Sequence, residues 1–251
     1  PKAIALLLPG SGNTGLDGDI SSPFVGTGYR GQRAALSEQL AAALTASGIT
    51  TYRYAKRGFE QPSELPHQTF DYLLRDAEDA LAMLRAHSGL PVYVVGFSEG
   101  ALLGVHLAAR VAVDGLFLLA LPSRPIDEVL DYQFVEWPVE LVRSRLDLTH
   151  DGVIDPSEQP AGALYPIAGA PLLAADGNKD GSLSIASEVA PFFRAVYLQI
   201  RGMLGGDPNL MAWYNAMKAL PGFESVATRV SAPVYFYQGT HDPQVNAFWS
   251  L

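Results

Sequence analysis

Cysteine is missing altogether from the 251-residue chain, which excludes disulfide bonds and thiol chemistry and leaves no marker of a redox compartment. Long hydrophobic runs are missing too. The run Ala3–Leu8 stops at Pro9 and the run 116–121 stops at Pro122, well short of the roughly 18 to 20 residues that cross a bilayer. Basic residues are few against acidic ones, 17 to 26 for a net charge of -9, and they form no patch. Nucleic acid and anionic membrane surfaces are therefore not expected partners. There is no long repeat and no low-complexity tract. What the chain does hold is 48% hydrophobic residues, enough for a sizeable core in one large α/β domain with an insertion. Pro1 opens directly into a strand pattern with no signal peptide before it, as expected of a processed or trimmed N-terminus.

Ala3–Leu8 is continuously apolar and ended by Pro9-Gly10, the pattern of a buried parallel strand. Residues 30–47 read as a helix, with Leu36, Leu40, Ala43 and Leu44 on one face and Gly48 placed to stop it. A strand over 50–54 follows, then a loop from Lys56 to Gln68. Residues 69–87 carry the clearest helical spacing, with Phe70, Leu73, Leu74, Ala77, Leu81 and Leu84 inward and Asp71, Arg75, Asp76, Glu78 and Asp79 on a solvated face. Strands over 92–95 and 116–121 flank a helix over 101–111. This alternation predicts an α/β fold, a mostly parallel central sheet with helices on both faces. The next strand pattern, 233–238, lies roughly 110 residues further on, far beyond an ordinary connection. Residues 126–225 are therefore expected to form an inserted cap on a core made of 1–125 and 226–251. The cap's Trp137, Phe192, Phe193, Tyr197, Met203, Met211, Trp213, Tyr214 and Met217 suit a small core of its own or an apolar wall over a pocket.

At 92–103 a β-rich apolar run meets Gly96, passes through Ser98, meets Gly100 and becomes helix-forming. This is the nucleophile-elbow pattern G-x-S-x-G in its strand-turn-helix setting. The bare pattern arises by chance in roughly one chain in ten of this size, so the setting carries the weight. The turn crowds its neighbours: Gly96 and Gly100 leave room while Ser98 takes a strained backbone and projects its hydroxyl. After the first strand, Gly10-Ser11-Gly12-Asn13 is a candidate half of an oxyanion hole, since such a loop can turn backbone N–H groups toward an anion; an ordinary flexible turn has the same composition.

Two acidic loops lie inside the expected cap. In residues 147–158, Asp147, Thr149, Asp151, Asp155 and Glu158 place oxygens at loop positions 1, 3, 5, 9 and 12. Val153 offers its carbonyl at position 7, and Gly152 stands at position 6. This resembles an EF-hand calcium loop, with Thr149 departing from the usual Asp or Asn. Asp176, Asn178, Asp180, Ser182 and Ser184 repeat the pattern, but position 12 is Ser187 and Glu188 comes one residue late. EF-hand loops work as pairs, so Ile154 and Leu183 are expected to meet between them. Structural calcium that stiffens the cap is the expected cofactor, with no organic cofactor; the other reading is a pair of Asp-Gly turns that bind nothing.

Pro9-Gly10-Ser11-Gly12, Tyr54-Ala55-Lys56-Arg57-Gly58, Gly96-Phe97-Ser98-Glu99-Gly100 and Gly239-Thr240-His241-Asp242 together resemble the α/β-hydrolase superfamily, in particular bacterial esterases and serine-aminopeptidase-like hydrolases. The resemblance covers about 3–125 and 232–245 and leaves the cap outside it. Relatives often have aspartate where Ala55 stands and histidine where Phe97 stands, which touches loop packing and pocket lining. The resemblance implies Ser98 as nucleophile, Asp242 as triad acid and the backbone N–H groups of Ser11 and Glu99 as oxyanion donors. A turn-capping Asp242 is the alternative.

A serine hydroxyl needs a base to take its proton. The family's histidine lies beyond a further helix and strand, whereas this sequence ends at Leu251. His106 is two helical turns past Ser98, roughly 12 Å along the axis. His87 ends an outer helix, His150 sits in an acidic loop and His241 adjoins the acid; His67, in the loop after the second strand, stays open. An apolar strand at 234–237 would make an unprotected sheet edge if nothing followed, so further chain is expected beyond Leu251. The readings left open are a serine hydrolase of small carboxylic esters, the same chemistry on peptides or thioesters, and a non-catalytic binding module. Calcium-type loops lean toward a secreted or periplasmic setting.

Overall fold

Six consecutive apolar residues can be buried on both sides only as an inner strand, and Ala3–Leu8 (β1) is buried throughout. In the computed structural model, which describes residues 1–19, 35–158, 166–167 and 170–250, β1 lies between β2 (Ile49–Tyr52) and β3 (Val92–Phe97). β4 (Gly115–Leu119) and β9 (Val234–Tyr237) complete a five-stranded sheet of order β2-β1-β3-β4-β9. All four pairings are parallel. The crossovers are α1 (Leu36–Ala46), α2 (Phe70–His87) and α3 (Glu99–Ala108). The expected start of α1 at Arg30 and the second half of the glycine-rich loop lie outside the described residues.

Side chains alternate between two layers, as the period of a strand requires. Ile4, Leu6, Leu8, Val94, Leu116 and Leu118 pack with α2 and α3 in the main core. Ala5, Leu7 and Val95 face Leu40, Ala41 and Leu44 of α1. Helices thus cover both faces, as the periodicity predicts. On the α2 face, Leu6, Leu74, Leu103 and Leu116 are fully buried, each contributing roughly 1.5–3 kcal/mol. Asp71, Arg75 and Asp79 of α2 face solvent. Asp76 and Glu78 are half-buried and pair with Arg57 and Arg110. On the α1 face, cover thins past β3: Phe117 and Tyr235 stack with ring centres 4.8 Å apart and are 38% and 55% exposed.

Beyond β4 the chain forms α4 (Ile126–Asp131), a π-helical turn (Tyr132–Glu136) and α5 (Trp137–Leu146). Two short antiparallel ladders follow. β5 (Val153–Ile154) pairs with β8 (Leu183–Ser184), and β6 (Pro166–Ile167) with β7 (Ala170–Pro171). A second π-helical turn (Ile185–Val189) runs into α6 (Ala190–Leu204). These elements enclose a separate core that includes Val142, Leu146, Ile154, Leu183, Val189 and Phe193. α7 (Pro208–Lys218) and α8 (Phe223–Ala227) turn back to the main core, where Met217 and Val226 are buried and Trp213 packs at its edge. Among the described residues no helix is long and apolar enough to cross a membrane.

Candidate functional site

The parallel strand order sets the loops after β1, β3, β4 and β9 along one edge of the sheet, the carboxyl edge where parallel sheets hold their ligands. Ser98 stands at the end of β3 with φ 54° and ψ -119°, a backbone region that costs a non-glycine residue roughly 1–3 kcal/mol. The surrounding packing over-determines it. Its N–H donates to the Leu119 carbonyl at 2.9 Å. A Cβ on Gly96 would lie 2.2 Å from the Gly100 carbonyl oxygen, and one on Gly100 would lie 2.2 Å from that of Leu8. The two glycines therefore have the steric role expected of them, and the second also presses α3 against the end of β1. That contact sets the start of the loop after β1 against the first turn of α3. A Cβ on Gly10 would come within 3.0 Å of the Phe97 ring, so the start of this loop lies on Phe97. Among the described residues, neither the Ser11 nor the Glu99 amide donates to a protein acceptor.

Asp242 follows β9, a strand that lies two places, roughly 10 Å, from β3 across the sheet. One carboxylate oxygen accepts the N–H of Gln244 at 2.8 Å and of Val245 at 3.1 Å, and the other accepts Gln238 Nε2 at 3.0 Å. As folded here, it caps its own turn. The π-helical turn after α4 holds that turn in place, with Tyr132 donating to the Asp242 carbonyl at 3.1 Å and Gln133 to the Gln244 carbonyl at 2.8 Å.

Among the described residues, none of the five histidines is hydrogen-bonded to Ser98 or to the Asp242 carboxylate. His67 Nδ1 lies 3.1 Å from Glu64 and its ring lies against Tyr72; His87 Nδ1 is 2.8 Å from the Met83 carbonyl; His241 contacts Thr240. His150 takes φ 61° in the first acidic loop. His106 is buried edge-on to Phe70, and its Nε2 has no partner among the described residues. Burial, with Arg110 and Arg229 nearby and Asp71 opposing them weakly, pushes its pKa down from the ordinary 6.5 to about 4. Stability is then complete above the unfolded value and is lost as pH falls toward 4, because only the unfolded imidazole takes up the proton. His106→Leu is expected to flatten the fall of the urea midpoint between pH 6.5 and 4 relative to wild type. Parallel declines in the two proteins would refute this.

Two side chains of the site escaped the sequence reading. Lys56, after β2, and Glu99 are buried to 3% and 1% exposure and form an ion pair. The other Glu99 oxygen accepts Trp213 Nε1 of α7 at 2.5 Å. The one available signal was a lysine directly behind a buried strand pattern, inside a motif already singled out.

The acidic loops fold as a pair, with Ile154 opposite Leu183 across β5 and β8. Asp147 accepts the N–H groups of Asp151 and Gly152, each at 3.1 Å, and Asp176 accepts those of Lys179 at 2.7 Å and Gly181 at 3.2 Å. Glu158 accepts from Thr149 at 2.8 Å and Asp155 at 3.1 Å, with the Thr149 contact first in holding its carboxyl below the usual range. Glu188 accepts Ser184 N–H at 2.9 Å, as Glu158 accepts that of Asp155. Glu188 lies in the π-helical turn Ile185–Val189 and, at position 13, takes the hydrogen-bonding place that Glu158 has at position 12. Among the described residues no three histidine, aspartate or glutamate side chains converge as a metal cluster does.

A parallel sheet covered on both faces, with a strained serine between strand and helix at its carboxyl edge, defines an α/β-hydrolase fold. The Hydrolase_4 family, described as serine aminopeptidase, S33, matches residues 28–247, and the chain belongs to that family. Esterase EstD of Thermotoga maritima is 34% identical over 98 residues, 38% of this chain and 24% of the esterase. The match thus spans about a quarter of that relative's length. The structure of proline iminopeptidase from Mycobacterium smegmatis superposes with a TM-score of 0.51 at 15% identity, covering 99% of this chain and 77% of the other. The ferulic acid complex of Est1E from Butyrivibrio proteoclasticus gives 0.47 at 14% identity, covering 99% and 73%.

Proposed function

We propose that the protein is a serine hydrolase that cleaves carboxylic esters through an acyl-enzyme on Ser98. The observation that supports this most directly is the Ser98 backbone, held at φ 54° where the first turn of α3 meets β3. In this reading Ser98 Oγ attacks the ester carbonyl and its proton passes to a base that Asp242 orients. The developing oxyanion is held by the amides of Ser11 and Glu99, each worth roughly 3 to 4 kcal/mol in the transition state. Collapse expels the alcohol, which takes up the proton, and water then releases the acid from Ser98. The test is covalent labelling of the full-length protein by a fluorophosphonate, with the adduct on the Ser98 peptide and no labelling of Ser98→Ala. The lack of any histidine on Ser98 among the described residues supports a second reading, a binding module that keeps the pocket without the chemistry. Unlabelled full-length protein, or labelling that survives Ser98→Ala, would select it. Turnover of matched ester, thioester and peptide substrates separates the remaining readings.

The paired acidic loops are proposed to take calcium, with Asp147, Thr149, Asp151, Val153, Asp155 and Glu158 around one ion and Asp176, Asn178, Asp180, Ser182, Ser184 and Glu188 around the other. The fit rests on Glu188, whose Oε1 is buried with no partner among the described residues. Calcium chloride at about 100 times Kd is expected to raise stability by about 2.7 kcal/mol for each site filled. A calorimetric titration with no heat and no rise in Tm would remove the idea.

A further inference from the structure

Lys56 and Glu99 present a physical puzzle. Each is almost wholly buried, and placing two charges away from water costs as much as their attraction returns, so apolar residues of similar size would serve stability as well. Their location suggests another use. The Lys56 N–H donates to the Thr14 carbonyl at 2.9 Å, tying it to the loop that carries Ser11. Its ammonium reaches the opposite way, to the carboxylate of Glu99. One residue thus spans the two segments whose amides are the oxyanion donors of the proposed reaction. Asn13 and Gln68 reinforce the same junction: Gln68 Nε2 donates to Asn13 at 2.7 Å and also to the Arg57 carbonyl. The second Glu99 oxygen is held from the cap side by Trp213 at 2.5 Å. Glu99 therefore has each carboxylate oxygen bound, one from the β2 loop and one from α7.

We propose that Lys56 and Trp213 are positioning residues that, through Glu99, fix the separation and direction of the Ser11 and Glu99 amides, and so set the oxyanion hole. This rests on the serine hydrolase reading above. The pair carries no proton and touches no substrate; its effect is on the transition state, where charge arrives on the oxygen. Misplacing a donor by a fraction of an ångström weakens that state and leaves ground-state binding nearly unchanged.

The experiment is steady-state kinetics of the full-length protein on a p-nitrophenyl ester, with inhibition by a trifluoromethyl ketone, which forms a tetrahedral oxyanion on serine. Lys56→Met and Trp213→Phe are expected to lower kcat by about tenfold or more, with KM within about twofold. The ketone inhibition constant is expected to rise in step with the loss of kcat. If Lys56→Met does not fold, Trp213→Phe, which keeps an aromatic ring and removes one N–H, carries the test. Variants that lose stability but keep kcat per folded molecule and ketone affinity overturn the inference alone. Wild-type protein with neither turnover nor fluorophosphonate labelling overturns the hydrolase reading and this inference with it.

Discussion

Exchanging Gly100 for alanine is expected to lower the unfolding free energy by more than about 4 kcal/mol, read from the urea midpoint. The added Cβ would lie 2.2 Å from the Leu8 carbonyl oxygen and 2.6 Å from that of Pro9. Both are backbone atoms, so no side chain can rotate out of the way. Relief requires α3 to withdraw from β1, which would part Leu102, Leu103 and Leu107 from Leu6 and Leu8 in the main core. The natural control is Gly104 on the same helix, where a Cβ would meet the side-chain ends of Leu116 and Val94 at 3.4 Å and of Leu118 at 3.7 Å. Gly104→Ala is expected to change stability by less than about 1 kcal/mol, the gain in helix propensity offsetting the closer contact. Equal losses at the two positions would show that the clash at Gly100 is relieved and that the elbow is not as tight as its geometry implies.

Gly96 and Gly100 show why the elbow was legible from the residues alone. A tight strand-to-helix turn leaves no room for neighbouring side chains, and that constraint is local, so it is written within five residues. β1 was legible for a related reason: burial on both sides demands an unbroken apolar run. Strand ends were less so. The reading of 50–54 overshoots β2 because pairing with β1 stops at Leu6 opposite Tyr52, a register that no residue of the strand announces. Glu188 looked misplaced in the second acidic loop, since a π-helical turn is not visible in a ligand pattern. Trp213 and Glu99 are 114 residues apart, and nothing in either neighbourhood predicts their meeting. Local sterics and periodicity can be read from a sequence; partners brought together by the return of a cap helix cannot. A base for Ser98 belongs with neither group, because among the described residues no histidine is hydrogen-bonded to Ser98.

Removing Glu99 is the second large effect to expect. In Glu99→Ala the Lys56 ammonium stays in a site that leaves it 3% exposed, and among the described residues Glu99 is its only carboxylate partner. An uncompensated buried charge costs about 3–5 kcal/mol. The urea midpoint should fall accordingly. The double variant Lys56→Met with Glu99→Gln removes both charges and keeps an amide oxygen for Trp213. It should regain most of the lost stability, because the desolvation of two ions disappears along with their attraction. A double variant as unstable as Glu99→Ala would mean that the two side chains are not coupled. If the pair exists to hold the Ser11 and Glu99 segments in register, restored stability will not restore turnover, since a thioether in place of the ammonium has no N–H to reach across with. The fold would then recover while kcat stays low, which separates a pair kept for geometry from one kept for stability.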